Sequence, residues 1–351
     1  MRNIVCKVGL LLSSLLLFSC SNTQETALSY YAQSIKGHLA LMNQRESIDT
    51  VLEEAQPELK KQLLLAQDIR RFASDTLGLP NNKSYSTYVE LERRYVVWNV
   101  FAAESLALNI KQWCYLVIGC ANYRGYYQEE SAQRYADGLR EQGYDVVVGG
   151  VSAYSTLGWF ADPLTSALLR RNGANLAELI FHELAHQEVF IKNDSRFNEA
   201  FASVVGEQGV FLWLEQTQQL EALAAYERQH EVYADFLALV KGTRQRLLDN
   251  YQSALSDEQK LIQKAAIFSD MKERYEILKS EKWDGKAWYE GWFSRPLNNA
   301  RFVSIATYRD LVPAFETLFE RCGRDFKRFY ARVERIGKTQ DKDLDVSCDQ
   351  V

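Results

Sequence analysis

A chain of 351 residues with 47% hydrophobic and 25% charged content is long enough to bury a substantial core, which excludes a chain disordered throughout. Its 41 basic residues against 46 acidic ones give a net charge of −5. No segment gathers Lys and Arg into the cluster that phosphate neutralisation needs, so nucleic acid is excluded as a partner.

At the N-terminus, Arg2 and Lys7 precede an apolar stretch, residues 8–18, too short to span a bilayer as a helix. Residues 1–19 therefore read as an export signal. The run LFSC at 17–20 resembles the lipobox of bacterial lipoproteins, which implies lipid on Cys20. A plain cleaved signal is the alternative. By the same resemblance, Ser21 implies that the lipid anchor holds the protein at the outer membrane, facing the periplasm. Residues 20–27 are polar and form a tether, and residues 28–351 are expected to form one domain.

Along that domain, residues 28–80 carry apolar side chains at three- and four-residue spacing, which predicts helices over 28–46 and 49–78. The pattern changes at 84–151. YVVWNVFAAE, WCYLVIG and YDVVVGGV are rich in β-branched and aromatic residues, as strands are, and the helical stretch QEESAQRYADGLREQG ends at Gly143. Gly149 and Gly150 would let a substrate backbone approach a strand closely, or else mark a bend at its end.

Residues 173–222 carry the chemistry. ELIFHELAHQ places His182 and His186 four apart, so both imidazoles project from one helical face while Glu183 stands roughly 100° around. KNDS at 192–195 breaks that helix, and FNEAFAS opens another with Glu199 near its start. Catalytic zinc commonly takes three protein ligands and leaves one position to water. His182, His186 and Glu199 are the expected Zn2+ ligands, with Glu207 and then Glu188 as rivals for the third place. Glu183 is left to act as general base on a water whose pKa zinc lowers to about 7. The competing reading is a helix with solvated histidines.

After residue 222 the chain is predicted helical to its end. Residues 220–282 read as a hairpin, with a capping box at SDEQ, Ser256 to Gln259. Tyr308, in NNARFVSIATY, is the candidate oxyanion donor, and the adjacent Asn298 and Asn299 are candidate substrate contacts. Asparagines in a turn and a packed tyrosine are the alternative. His230 and His38 sit on apolar helical stripes and read as buried, hydrogen-bonded side chains. Cys114, Cys120, Cys322 and Cys348 suit disulfides in an oxidising compartment, in three possible pairings. The sequence-local pairing, Cys114 with Cys120 and Cys322 with Cys348, needs a turn near Gly119. A straight strand would hold the first pair about 20 Å apart.

The stretches YYAQSIKGHLALM, IRRFASDTLGLP, YVVWNVFAA, GYDVVVGGVSAYSTLGWFADPL, ELIFHELAHQ, FNEAFAS and PLNNARFVSIATYRDLVPAF resemble the bacterial predicted aminopeptidase family, exported zinc-peptidase-like lipoproteins with HExxH and a downstream NE. The resemblance implies an α+β, zincin-like fold, a small mixed sheet followed by a predominantly helical C-terminal half. It also implies a gluzincin-type site on His182, His186 and Glu199 with Glu183 catalytic, a peptide substrate, and a membrane contact through lipid.

Overall fold

The computed structural model describes residues 27–115, 119–152, 161–339, 342–345 and 347–348, apart from the side chains at 27, 28, 304 and 306–309. The signal and Cys20 lie outside these residues. The fold is α+β, with short strands gathered before residue 166 and helices after it.

The first helix, α1 (Ala27–Asn43), leads through β1 (Glu46–Ser47) to α2 (Ile48–Glu54) and α3 (Pro57–Asp75). The single helix expected over 49–78 is thus two. Pro57 lacks the N–H that a continuous helix would use, and it takes the first position of α3, where that donor would have no partner anyway. Strand β2 (Thr87–Val89) follows, then β3 (Val97–Glu104), β4 (Trp113–Tyr115), β5 (Gly119–Ala121) and β6 (Arg124–Tyr126). Helix α4 (Glu129–Glu141) ends at Gly143, whose φ of +86° suits glycine, and β7 (Tyr144–Val151) and β8 (Leu164–Thr165) complete the strands.

Among the described residues the strands form three small sheets, ordered β1-β2-β8, β6-β3-β7 and β4-β5. Among the described residues only β2 and β8 pair in parallel. In the second sheet β3 is central, and both of its faces are covered, which explains its nearly continuous apolar run. Ala132, Ala136 and Leu139 of α4 share one cluster with Trp98, Val100 and Ala102. Ala300 and Val303 share another with Ala103. Strand β4 pairs antiparallel with β5, Cys114 stands opposite Cys120, and the two form a disulfide. Cys322 and Cys348 form the second, so the sequence-local pairing is the one the structure has.

From residue 166 the chain is helical: α5 (Ser166–Leu169), α6 (Gly173–Glu188), α7 (Ser195–Gln216), α8 (Leu220–Gln252), α9 (Asp257–Glu281), α10 (Glu290–Phe293), α11 (Asn299–Arg309), α12 (Val312–Arg321) and α13 (Phe326–Gly337). Helix α7 is apolar on most of its circumference, the mark of a helix enclosed by others. The largest core cluster includes Phe197, Phe201 and Val205 of α7 with Phe181 of α6, Phe315 of α12 and Phe329 of α13. Helices α8 and α9 form the expected hairpin with its capping box at Ser256 and Gln259, around a second core that includes Phe236, Met271, Tyr275 and Trp283. Among the described residues no helix is long and apolar enough to cross a membrane.

Candidate metal centre

Helix α6 starts at Asn172, whose side chain accepts from the Asn175 amide at 2.8 Å. It ends when Val189 turns to extended backbone. Helical periodicity alone then puts His182 and His186 on one face, with their Nε2 atoms 3.1 Å apart. Glu199 comes from the next helix. Its place is set by a reversal in which Asp194 caps α7, accepting from the Phe197 amide at 3.1 Å. The Asn198 side chain brackets Ile191, accepting from its N–H and donating to its carbonyl, both at 2.8 Å.

The reversal brings Glu199 Oε2 to 3.4 Å from His182 Nε2 and Oε1 to 3.6 Å from His186 Nε2. One ligand atom from each of the three residues lies within 4.8 Å of the other two. A tetrahedral zinc site, with bonds of about 2.0–2.1 Å, holds its ligand atoms roughly 3.3 Å apart. Two imidazoles and one carboxylate at this spacing fit the ion in geometry and in donor type.

The electrostatics agree. Burial opposes charge on His182, but the hydrogen bond and charge of Glu199, with Glu183 and Glu178 adding to them, raise its pKa to about 9. His186 is pushed down to about 4, first by burial and then by the charge of His182. Glu199 is held below its ordinary value: burial favours its neutral form, and the hydrogen bond and charges of the two rings outweigh that. The group thus combines a neutral imidazole, a carboxylate and an imidazole whose proton an ion must displace.

Glu199, and neither rival, meets the imidazoles. Glu207 is buried, two turns further along α7, with Oε2 3.9 Å from Nδ1 of His230. Glu188 is exposed at the end of α6. The His230 ring packs edge-on against Tyr226 and at a tilt against Phe211. Glu183 is half-buried, close enough to His182, Tyr85 and Arg171 to influence the proton affinity of each.

Two further groups border the site. Glu178 stands one turn before His182 and accepts from the Tyr226 hydroxyl at 2.9 Å. Its carboxyl is raised by burial and by Glu207. The spacing Glu178, His182, His186 repeats by four, so its share of the face was legible. Arg171 donates to Ser152 Oγ at 2.9 Å from Nη2 and 3.3 Å from Nε, tying the end of β7 to the start of α6.

The remaining candidates divide. Strand β7 is the edge of its sheet. A Cβ on Gly149 would meet nothing within 4 Å, whereas one on Gly150 would stand 2.1 Å from the Tyr95 ring. Gly150 is therefore a packing glycine. Asn298 caps α11 and donates to the Val146 carbonyl at 3.1 Å. Asn299 is fully buried: its amide nitrogen donates to the carbonyls of Glu104, Ser105 and Ala107 at 2.8–3.1 Å, and its Oδ1 accepts from Tyr251 at 2.7 Å. Its backbone N–H donates to Asp145 Oδ2 at 2.7 Å. Both asparagines spend their side chains on hydrogen bonds within the fold, which gives them a structural role. The reason is topological: α11 meets the end of β3 and the start of β7, where backbone carbonyls need donors. Tyr308 lies in α11, and its side chain is outside the described set.

No curated protein and no solved structure matches the chain. The model of the family described as "Putative aminopeptidase" matches residues 29–345, a span that contains every residue of this site, and the chain belongs to that family.

Proposed function

We propose that the protein is a zinc-dependent peptidase of zincin-like fold, acting as an aminopeptidase. The observation that carries this reading is the convergence of His182 Nε2, His186 Nε2 and the Glu199 carboxylate at zinc-ligand spacing, on an HExxH helix whose glutamate is not part of the group. Family membership supports the peptidase class.

His182, His186 and Glu199 would hold the ion. When bound there, it supplies Lewis-acid polarisation and makes a water acidic enough to be deprotonated near pH 7. Glu183 follows His182 directly on α6, and its carboxylate takes the proton of the attacking water and returns it to the leaving amine. Strand β7 ends the order of its sheet, and we assign to that edge an extended peptide that adds by main-chain hydrogen bonds, with open space over Gly149 on one face. Tyr308 is the donor we assign to the developing oxyanion. Residues 1–19 direct export and Cys20 carries the lipid that holds the protein on the periplasmic face of the outer membrane.

Glu183→Gln tests the mechanism: zinc content should equal that of the wild type while peptide hydrolysis disappears. Retained hydrolysis would remove Glu183 from its role. A wild-type protein that holds zinc and binds peptides without cleaving them would make this a binding lipoprotein. Aminopeptidase action requires a free amine, so N-acetylated peptides should resist cleavage. Equal cleavage of both forms would mean an endopeptidase.

A further inference from the structure

We infer that the C-terminal segment braces the third member of the metal group, with Lys342 as a positioning residue that acts on Glu199 through the start of α7. The inference rests on the metal reading above. His182 and His186 are held in register by their own helix, but Glu199 belongs to another, and its distance from them depends on the connection 189–194. Whatever holds that connection sets the third ligand.

The two oxygens of Asp194 divide the task. Oδ1 caps α7 through the Phe197 amide at 3.1 Å, and Oδ2 accepts from the ammonium of Lys342, 148 residues further along the chain. The Lys342 Nζ also lies 5.6 Å from the centre of the Phe197 ring, two residues before Glu199. On the other side of the reversal, Ile191 is bracketed by Asn198 and pressed against Gly337 at the end of α13. A Cβ at Gly337 would stand 2.3 Å from Ile191 Cδ1 and 3.4 Å from the Phe197 ring. The tail that carries Lys342 is itself anchored. Leu344 and Cys348 are buried in the same core as Phe197, Cys348 is disulfide-bonded to Cys322 at the end of α12, and Arg321 pairs with Asp345 at 2.5 Å.

The Asp194–Lys342 pair is only about 30% exposed on either side, so it is less screened than a surface pair. Ordering Glu199 before the ion arrives removes a cost that binding would otherwise carry. Substituting a group that orients a metal ligand lowers affinity by about 10–100-fold.

The experiment measures zinc affinity of the full mature chain by competition with a chromophoric chelator, together with hydrogen exchange of the metal-free protein. Lys342→Gln should weaken zinc binding about tenfold and speed exchange of the amides at 191–199 while leaving those of α6 unchanged. Asp194→Asn keeps an acceptor for the cap but loses the charge, and should match it. Lys342→Arg should restore both readouts. In a Glu199→Ala background, Lys342→Gln should change affinity no further. Opening the staple with Cys348→Ser should act in the same direction, and the Lys342 series decides the matter if that variant does not fold. Wild-type affinity and exchange in Lys342→Gln would overturn the brace and leave the metal reading standing, as would an equal loss with and without Glu199. A wild-type chain that takes up no zinc would overturn both.

Discussion

Gly206 of α7 lies so close to Glu178 of α6 that no side chain fits between the helices: a Cβ there would stand 2.9 Å from the Glu178 carbonyl oxygen and 3.4 Å from His182 Cβ. The first neighbour is backbone and cannot rotate away. Glu199 reaches the imidazoles because the helices approach this closely. Gly206→Ala should therefore cost about 2 kcal/mol of stability by overpacking and also weaken zinc binding. Thermal unfolding and a zinc titration of the same preparation check this, and a variant unchanged in both would show that the helices part without consequence.

Metal uptake should depend on pH in a definite direction. The pKa of His182 is raised to about 9, so at neutral pH an entering ion competes with a proton for this ring. His186 is already neutral and Glu199 already ionised. Apparent zinc affinity should rise at least about tenfold for each pH unit up to about 9 as the His182 proton is lost. Calorimetry at pH 7 in buffers of different ionisation enthalpy should report close to one proton released. No proton release would mean that His182 is neutral before the ion arrives.

The two glutamates of α7 should separate cleanly. Glu199→Ala removes a member of the metal group and should lower zinc affinity by more than the about hundredfold that outer partners cost. Glu207→Ala removes a buried carboxylate beside His230 and Glu178 and should leave zinc bound. Metal analysis after gel filtration distinguishes them. The reverse pattern would make Glu207 the ligand.

Asn299→Ala tests a part of the fold distant in sequence from the site. Its amide donates to three backbone carbonyls and accepts from Tyr251, and Asp145, which accepts from its backbone N–H, also takes the ammonium of Lys264 at 2.5 Å. Losing those donors in a buried position should cost on the order of 3 kcal/mol with little change in KM for peptides. Chemical denaturation and steady-state kinetics are the measurements. A large rise in KM with unchanged stability would return Asn299 to the substrate site.

Much of the centre was legible because it is local. Four-residue spacing aims His182 and His186 the same way in any helix, the capping box at Ser256 depends on four residues, and Cys114 faces Cys120 six residues on across an antiparallel strand pair. The break at Pro57 is equally local, but apolar spacing that continues across it masks it.

What the sequence determined by itself is the pair of imidazoles, the glutamate between them, and a second helix soon after. Tertiary structure alone decided which glutamate closes the group, that Asn298 and Asn299 serve backbone carbonyls, that Tyr95 claims Gly150, and that Lys342 reaches Asp194. Helical periodicity sets the direction of a side chain within its own helix. The register between helices depends on the reversal and on the absent side chain of Gly206, and these act only once the helices are packed.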